Sequence, residues 1–158
     1  MKQKTVLVTC VDKYMGRAIA GRLAELGFRV ISDNRTVLKQ SVCEELIQSV
    51  GEVDILVANL AEPPKSSPVQ SIENEDWNSL FSALVDPLMF LVRALTPQML
   101  ARKSGKIIAV TSAAPLRGLA NNAAYCAARG AQNAFIKAVG LELARANVQV
   151  NAIAQNYI

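Results

Sequence analysis

The stretch Thr5 to Ser32, TVLVTCVDKYMGRAIAGRLAELGFRVIS, decides the fold. A β-branched apolar run, Thr5 to Cys10, precedes a helical pattern from Met15 to Leu26. Gly27 closes that helix, and a second β-branched run follows from Arg29 to Ser32. Strand, helix, strand in this order is the sign of a βαβ unit and a parallel sheet. The alternation continues outward along the chain. Val37 to Val50 predicts a helix ending at Gly51, and Asp54 to Ala58 a strand. After the loop Glu62 to Pro68, Glu73 to Lys103 predicts a helical stretch bent or broken at Pro87. Lys106 to Thr111, Ala123 to Ala146 and Val148 to Ala154 complete strand, helix and strand. Gly27 and Gly51 stand where a left-handed helix cap is wanted. The expectation is an α/β domain over residues 1–158, with five parallel strands, helices on both faces, no internal repeat and no linker.

Composition narrows the classes. A chain of 158 residues with 51% hydrophobic and 5% aromatic content fits one globular domain with a real core. Its mean hydropathy is +0.22. Seventeen Lys and Arg against thirteen Asp and Glu give a net charge of +4, but they are scattered singly from Lys2 to Arg145. Without a basic stripe, neither nucleic acid nor membrane is expected as a partner. The chain has no histidine, which removes imidazole base chemistry and the commonest metal ligand, so no Ser-His-Asp hydrolase and no metal site is expected. Cys10, Cys43 and Cys126 are odd in number and widely separated, and read as reduced thiols. The apolar start is too short for a secretory leader. Leu80 to Leu100 is interrupted by Asp86, Pro87, Arg93 and Pro97, so a cytoplasmic location is expected.

The chemistry-bearing residues are Ser112, Tyr125 and Arg129. Ser112 stands thirteen residues before Tyr125, and Arg129 follows four residues after it in Tyr-Cys-Ala-Ala-Arg. At i and i+4 the phenol and guanidinium share a helix face. A serine, a tyrosine and a fixed cation can together abstract a proton from an alcohol. In open α/β sheets the site lies outside the carboxyl ends of the strands. Ser112, Asn59, the loop after Cys10 and the tail Gln155 to Ile158 all follow strands, which gathers them at one end. Each also has a plainer reading: a surface Tyr–Arg pair, Ser112 as a turn cap, Tyr14 as a core residue at a helix entry, and Asn59 as a bridge between loops.

Over nearly its whole length the chain resembles the short-chain dehydrogenases/reductases. The resemblance rests on the first-strand turn, the Asn59 region, Trp77 with Pro97-Gln98-Met99, Ser112, Tyr125 and Asn151. That family cradles a pyrophosphate in Thr-Gly-x-x-x-Gly-x-Gly. The corresponding stretch here is Thr9-Cys10-Val11-Asp12-Lys13-Tyr14-Met15-Gly16, with two of three glycines replaced. Tyr-x-x-x-Lys becomes Tyr-x-x-x-Arg, and no asparagine falls between Leu80 and Arg93, where the dehydrogenases carry a proton-relay Asn. All three changes remove parts that serve a nicotinamide cofactor. Asp33, where an NAD-binding relative places its ribose acid, then reads as a loop or cap residue.

The combination resembles the halohydrin dehalogenases, relatives that lost the cofactor and kept the proton-abstracting centre. The resemblance implies a Rossmann-like three-layer α/β/α fold and a catalytic triad of Ser112, Tyr125 and Arg129. It implies halide binding by Tyr14, Gln155, Asn156, Tyr157 and Ile158, with no cofactor. The implied reaction turns vicinal haloalcohols into epoxides with release of halide and a proton; in reverse, small anions open epoxides. The implied partners are the small-molecule haloalcohol or epoxide, a halide or other small anion, and further copies of the chain in a homotetramer. Relatives continue past the segment matching Gln155 to Ile158, so the chain reads as lacking C-terminal elements. The connection between Asn34 and Gly51 lacks the extra strand-helix unit of many relatives. Two alternatives stay open: an atypical NAD(P)-dependent short-chain reductase and a non-catalytic Rossmann-like scaffold.

Overall fold

The computed structural model describes residues 2–35 and 39–156. Five strands form one parallel sheet: β1 (Thr5–Thr9), β2 (Arg29–Asp33), β3 (Ile55–Ala58), β4 (Gly105–Ser112) and β5 (Val148–Gln155). Their order is β2-β1-β3-β4-β5, parallel throughout, with Val6 beside Ile55 and Ser112 beside Gln155. The order reverses between β1 and β3, the place where open α/β sheets put their ligands. The connection from β2 to β3 carries one helix, α2 (Gln40–Val50), as its short length requires. The helix is expected from Val37, and residues 36–38 lie outside the described residues.

Both faces of the sheet carry helices, but unevenly. On one face, Leu7, Leu56 and Ile107 pack with residues of α2, α3 (Asn74–Leu84), α4 (Asp86–Arg102) and α6 (Ala123–Leu143). Each of those three strand side chains is fully buried, contributing about 1.5–3 kcal/mol relative to an exposed position. On the other face, Val6, Val8, Val57 and Val110 meet Ile19 and Leu23 of α1 (Gly16–Glu25). The strand β5 is mostly exposed, with Ile153 57% accessible.

Proline marks two helix starts, one of them at the expected break. The long helical stretch breaks at Val85, two residues before Pro87, which takes a place in the first turn of α4, where a missing N–H costs least. Residues 74–102 match a membrane span in length and mean hydropathy, at 1.5. The break and the packing of Leu84, Leu88, Leu91, Leu95 and Met99 into the core make them a core helix pair. Pro115 opens a four-residue helix, α5 (Ala114–Arg117), within a segment that reads as loop in sequence. One turn is too short to show a periodicity. The long α6 ends at Leu143, three residues earlier than expected, and residues 144–146 tighten into a 3-10 turn before Asn147 at φ 56°.

Candidate functional site

The turn after β1 is built as a glycine turn without its first two glycines. Cys10 and Tyr14 have φ of 48° and 49°, left-handed values that glycine adopts freely and other residues adopt at a cost. Gly16 is retained for a different reason: a Cβ there would stand 2.5 Å from the carbonyl oxygen of Val11. Asn59, buried at the end of β3, donates from Nδ2 to the carbonyls of Cys10 at 3.1 Å and Lys13 at 3.0 Å. Its own N–H is 3.1 Å from the hydroxyl oxygen of Thr9. Asn59 thus laces β3 to the turn across the reversal point. Asp33 accepts from the backbone N–H of Arg35 at 3.1 Å and pairs with its guanidinium at 2.8 Å, the arrangement of a loop residue.

The dinucleotide of the short-chain dehydrogenases does not fit these residues in the glycine-turn manner. Cys10 and Tyr14 carry side chains at two positions where backbone must approach a pyrophosphate. The cleft beside it, lined in part by Cys10, Lys13, Leu60, Ala61, Glu62 and Pro87, holds about 200 Å³. Ligand pockets run at about 300–1,000 Å³. Burial raises the thiol of Cys10 above its ordinary range, so it stays protonated at neutral pH.

Ser112, Tyr125 and Arg129 come from the end of β4 and the first turns of α6. The backbone N–H of Ala114 donates to Ser112 Oγ at 3.0 Å, so the turn-cap reading holds. A hydroxyl has one proton, and this bond uses a lone pair, leaving that proton free to donate. Tyr125 is 9% exposed and Arg129 is 3% exposed, so the pair is interior rather than a surface contact. Arg129 Nε donates to the phenol oxygen at 3.2 Å. Its Nη1 donates to the carbonyls of Leu60 at 3.2 Å and Val110 at 3.4 Å, and to Gln132 Oε1 at 2.9 Å. Every one of these acceptors is neutral as drawn, and among the described residues Arg129 has no carboxylate partner. A buried guanidinium in that position favours any negative charge that forms on the phenol oxygen.

Two polar residues of α6 escape the sequence reading. Gln132 is 1% exposed and donates to the carbonyl of Leu84 at 2.6 Å while accepting from Arg129. Asn133 donates to the carbonyl of Ser112 at 3.1 Å, and its Oδ1 is buried with no partner among the described residues. A signal for Gln132 exists. It lies seven residues after Tyr125 and three after Arg129, on the stripe that faces the core.

The residues of the expected anion site follow two different strands. Tyr14 is 60% exposed, not a core residue as its plainer reading has it. The turn it belongs to follows β1, three strand positions from β5. Gln155 lies beside Ser112, and its carbonyl accepts from the N–H of Ala113 at 2.9 Å. Asn156 accepts through Oδ1 from Arg117 Nη2 at 2.8 Å. Tyr157 and Ile158 lie outside the described residues.

The chain is similar to proteins named as reductases or dehydrogenases and to proteins named as dehalogenases. Residues 32–158 match the family described as short chain dehydrogenase. A 3-oxoacyl-(acyl-carrier-protein) reductase of Escherichia coli is 28% identical, covering 98% of this chain and 73% of its own length. A dehydrogenase/reductase SDR family member 4 of Bos taurus is 29% identical, covering 100% and 67%. Among solved structures, a halohydrin dehalogenase bound to ethyl (2S)-oxiran-2-ylacetate is 32% identical with a TM-score of 0.87, covering 96% of this chain and 69% of that one. An NAD+-bound xylitol dehydrogenase is 27% identical with a TM-score of 0.91, covering 98% and 70%. The matched span, together with the five-stranded parallel sheet, establishes that the chain belongs to the short-chain dehydrogenase family.

Proposed function

We propose that the protein is a cofactor-independent carbon–halide lyase that converts vicinal haloalcohols to epoxides. Tyr125 takes the proton from the substrate hydroxyl, while the free proton of Ser112 hydrogen-bonds to the same oxygen and holds it. Tyr125 acts as its phenolate, which the adjacent Arg129 guanidinium stabilises, and the negative charge passes to the substrate oxygen as the proton moves. The oxygen attacks the adjacent carbon, the new C–O bond closes the ring, and the carbon–halogen bond breaks with its electron pair leaving on the halide. The proton passes from Tyr125 to solvent. No hydride is transferred.

One observation carries this reading: Arg129 is turned inward. Where a dehydrogenase uses lysine to reach a nicotinamide ribose, this guanidinium spends Nε and Nη1 on Tyr125, Leu60, Val110 and Gln132. The occupied positions at Cys10 and Tyr14 agree with it. The halide site is assigned to Tyr14 and the segment Gln155, Asn156, Tyr157 and Ile158, through backbone N–H groups and aromatic edges. The halohydrin dehalogenase structure, at 32% identity, supports the same class.

The names of the curated relatives favour a second reading, reduction of a carbonyl by a nicotinamide cofactor through Ser112 and Tyr125. Azide with a short terminal epoxide separates the two. Ring opening without nicotinamide, together with no detectable NADH or NADPH binding by fluorescence titration, is the expected result. Saturable NADPH binding with carbonyl reduction and no ring opening is the result that replaces the lyase with the reductase.

A further inference from the structure

Gln132 occupies a position where a carboxylate would pair with Arg129 but leave the Leu84 carbonyl without a donor. It is 1% exposed, and its amide spans from Arg129 Nη1 at 2.9 Å to the carbonyl of Leu84 at 2.6 Å. Leu84 is the last residue of α3, next to the break at Val85. The amide therefore fixes the guanidinium against the helix end with two hydrogen bonds. It adds no charge.

The sign of that charge matters. A carboxylate at this distance would neutralise the guanidinium and weaken its pull on negative charge at the Tyr125 oxygen. A buried arginine is ordinarily paired for the opposite reason, since an unpaired interior cation costs several kcal/mol after relaxation. Here the partners come from the end of β3 (Leu60 carbonyl), from β4 (Val110 carbonyl) and from α6 (Tyr125 and Gln132). Tyr125 is the one titratable group among them, so it is the one partner able to become the counter-anion.

We infer that Gln132 is a positioning residue that holds Arg129 in place while leaving its charge unneutralised, reserving that charge for Tyr125. This inference rests on the proposed proton abstraction by Tyr125. It goes beyond it by assigning the tuning of the pair to a neighbouring neutral side chain.

The test is Gln132→Glu, which keeps the size and the acceptor for Arg129, loses the donor to the Leu84 carbonyl and supplies a counter-charge. The ascending, acid-side limb of the pH–rate profile for halide release should move to higher pH by at least about one unit, with turnover at pH 7 down about tenfold and recovered at alkaline pH. A glutamate variant with the parent's pH profile overturns the inference. Phenolate absorbance, titrated in the parent and in the glutamate variant against their Tyr125→Phe counterparts, reads the same effect without a substrate. The Tyr125-dependent absorbance should appear at higher pH in the glutamate variant, and coincident titrations overturn the inference even where no dehalogenation is found. Gln132→Leu provides a second variant that cannot neutralise the cation. It should lose about tenfold in turnover with the pH limb unmoved, from loss of the anchor alone. Unchanged turnover, or a limb displaced as in the glutamate variant, contradicts the assignment.

Discussion

Arg129 Nε lies 3.2 Å from the hydroxyl oxygen of Tyr125, and its buried guanidinium has no carboxylate partner among the described residues. One helical turn separates the two residues, so the backbone of α6 alone holds them together. The cation is always present, since a guanidinium stays protonated at any working pH. What this pair lacks is a permanent anion; in the proposed reaction Tyr125 supplies a transient one when its phenol gives its proton to solvent before each turnover.

Replacing Arg129 by lysine tests whether the fork matters as well as the charge. An ammonium is a single point and cannot reach Tyr125, Leu60 and Gln132 with one planar group. Arg129→Lys is expected to lower halide release by at least about tenfold and to cost about 1–3 kcal/mol in urea unfolding, from acceptors left unpaired. Steady-state kinetics and denaturation on the same preparation check both.

Asn59 holds the turn after β1 by two hydrogen bonds from one amide nitrogen. Asn59→Leu keeps the volume and removes both. The expected loss is about 1–3 kcal/mol of stability, with faster amide exchange from Cys10 to Gly16. Hydrogen exchange followed by mass spectrometry locates the effect.

Gly16→Ala places a Cβ against backbone, not against a movable side chain, so relief requires the turn or α1 to shift. A loss of about 1–3 kcal/mol is expected. Cys10→Gly, by contrast, relieves a left-handed φ and should stay within about 1 kcal/mol of the parent. Thermal unfolding of the two variants side by side gives the comparison.

The thiol of Cys43 is pushed up to about 11 from 9.0, first by burial and then by the carboxylate of Glu44. A thiol raised in the folded state leaves stability intact below the unfolded value and erodes it as pH climbs toward the folded one. Part of the alkaline loss of stability between about pH 9 and 11 should therefore vanish in Cys43→Ala. Parallel urea curves at pH 8 and 10.5 measure it.

The five strands are legible in sequence because each is a short β-branched run bounded by polar or glycine residues, and β1 and β3, buried throughout, read as continuous apolar runs. Tyr125 and Arg129 are legible because helical spacing places them together. The uneven covering of the sheet is not, because it depends on which face each helix chooses, and α1 alone takes the second. The four-residue α5 is too short to carry a pattern. Of the two readings of Tyr14, the helix-entry core residue is the one that fails, since its left-handed backbone belongs to a turn and leaves it 60% exposed. Gln132 is passed over because polar residues on helices are ordinarily read as surface. Only the phase it shares with Tyr125 and Arg129 betrays its burial.

The central claim is proton abstraction by Tyr125 without a cofactor. The most direct measurement is release of bromide and protons from a short vicinal bromo-alcohol, with no nicotinamide added, by the parent and by its Tyr125→Phe variant. The account predicts equal amounts of bromide and acid from the parent and a loss of at least about a hundredfold in the variant. Parent-level release from a folded Tyr125→Phe protein, or none from the folded parent, would contradict it.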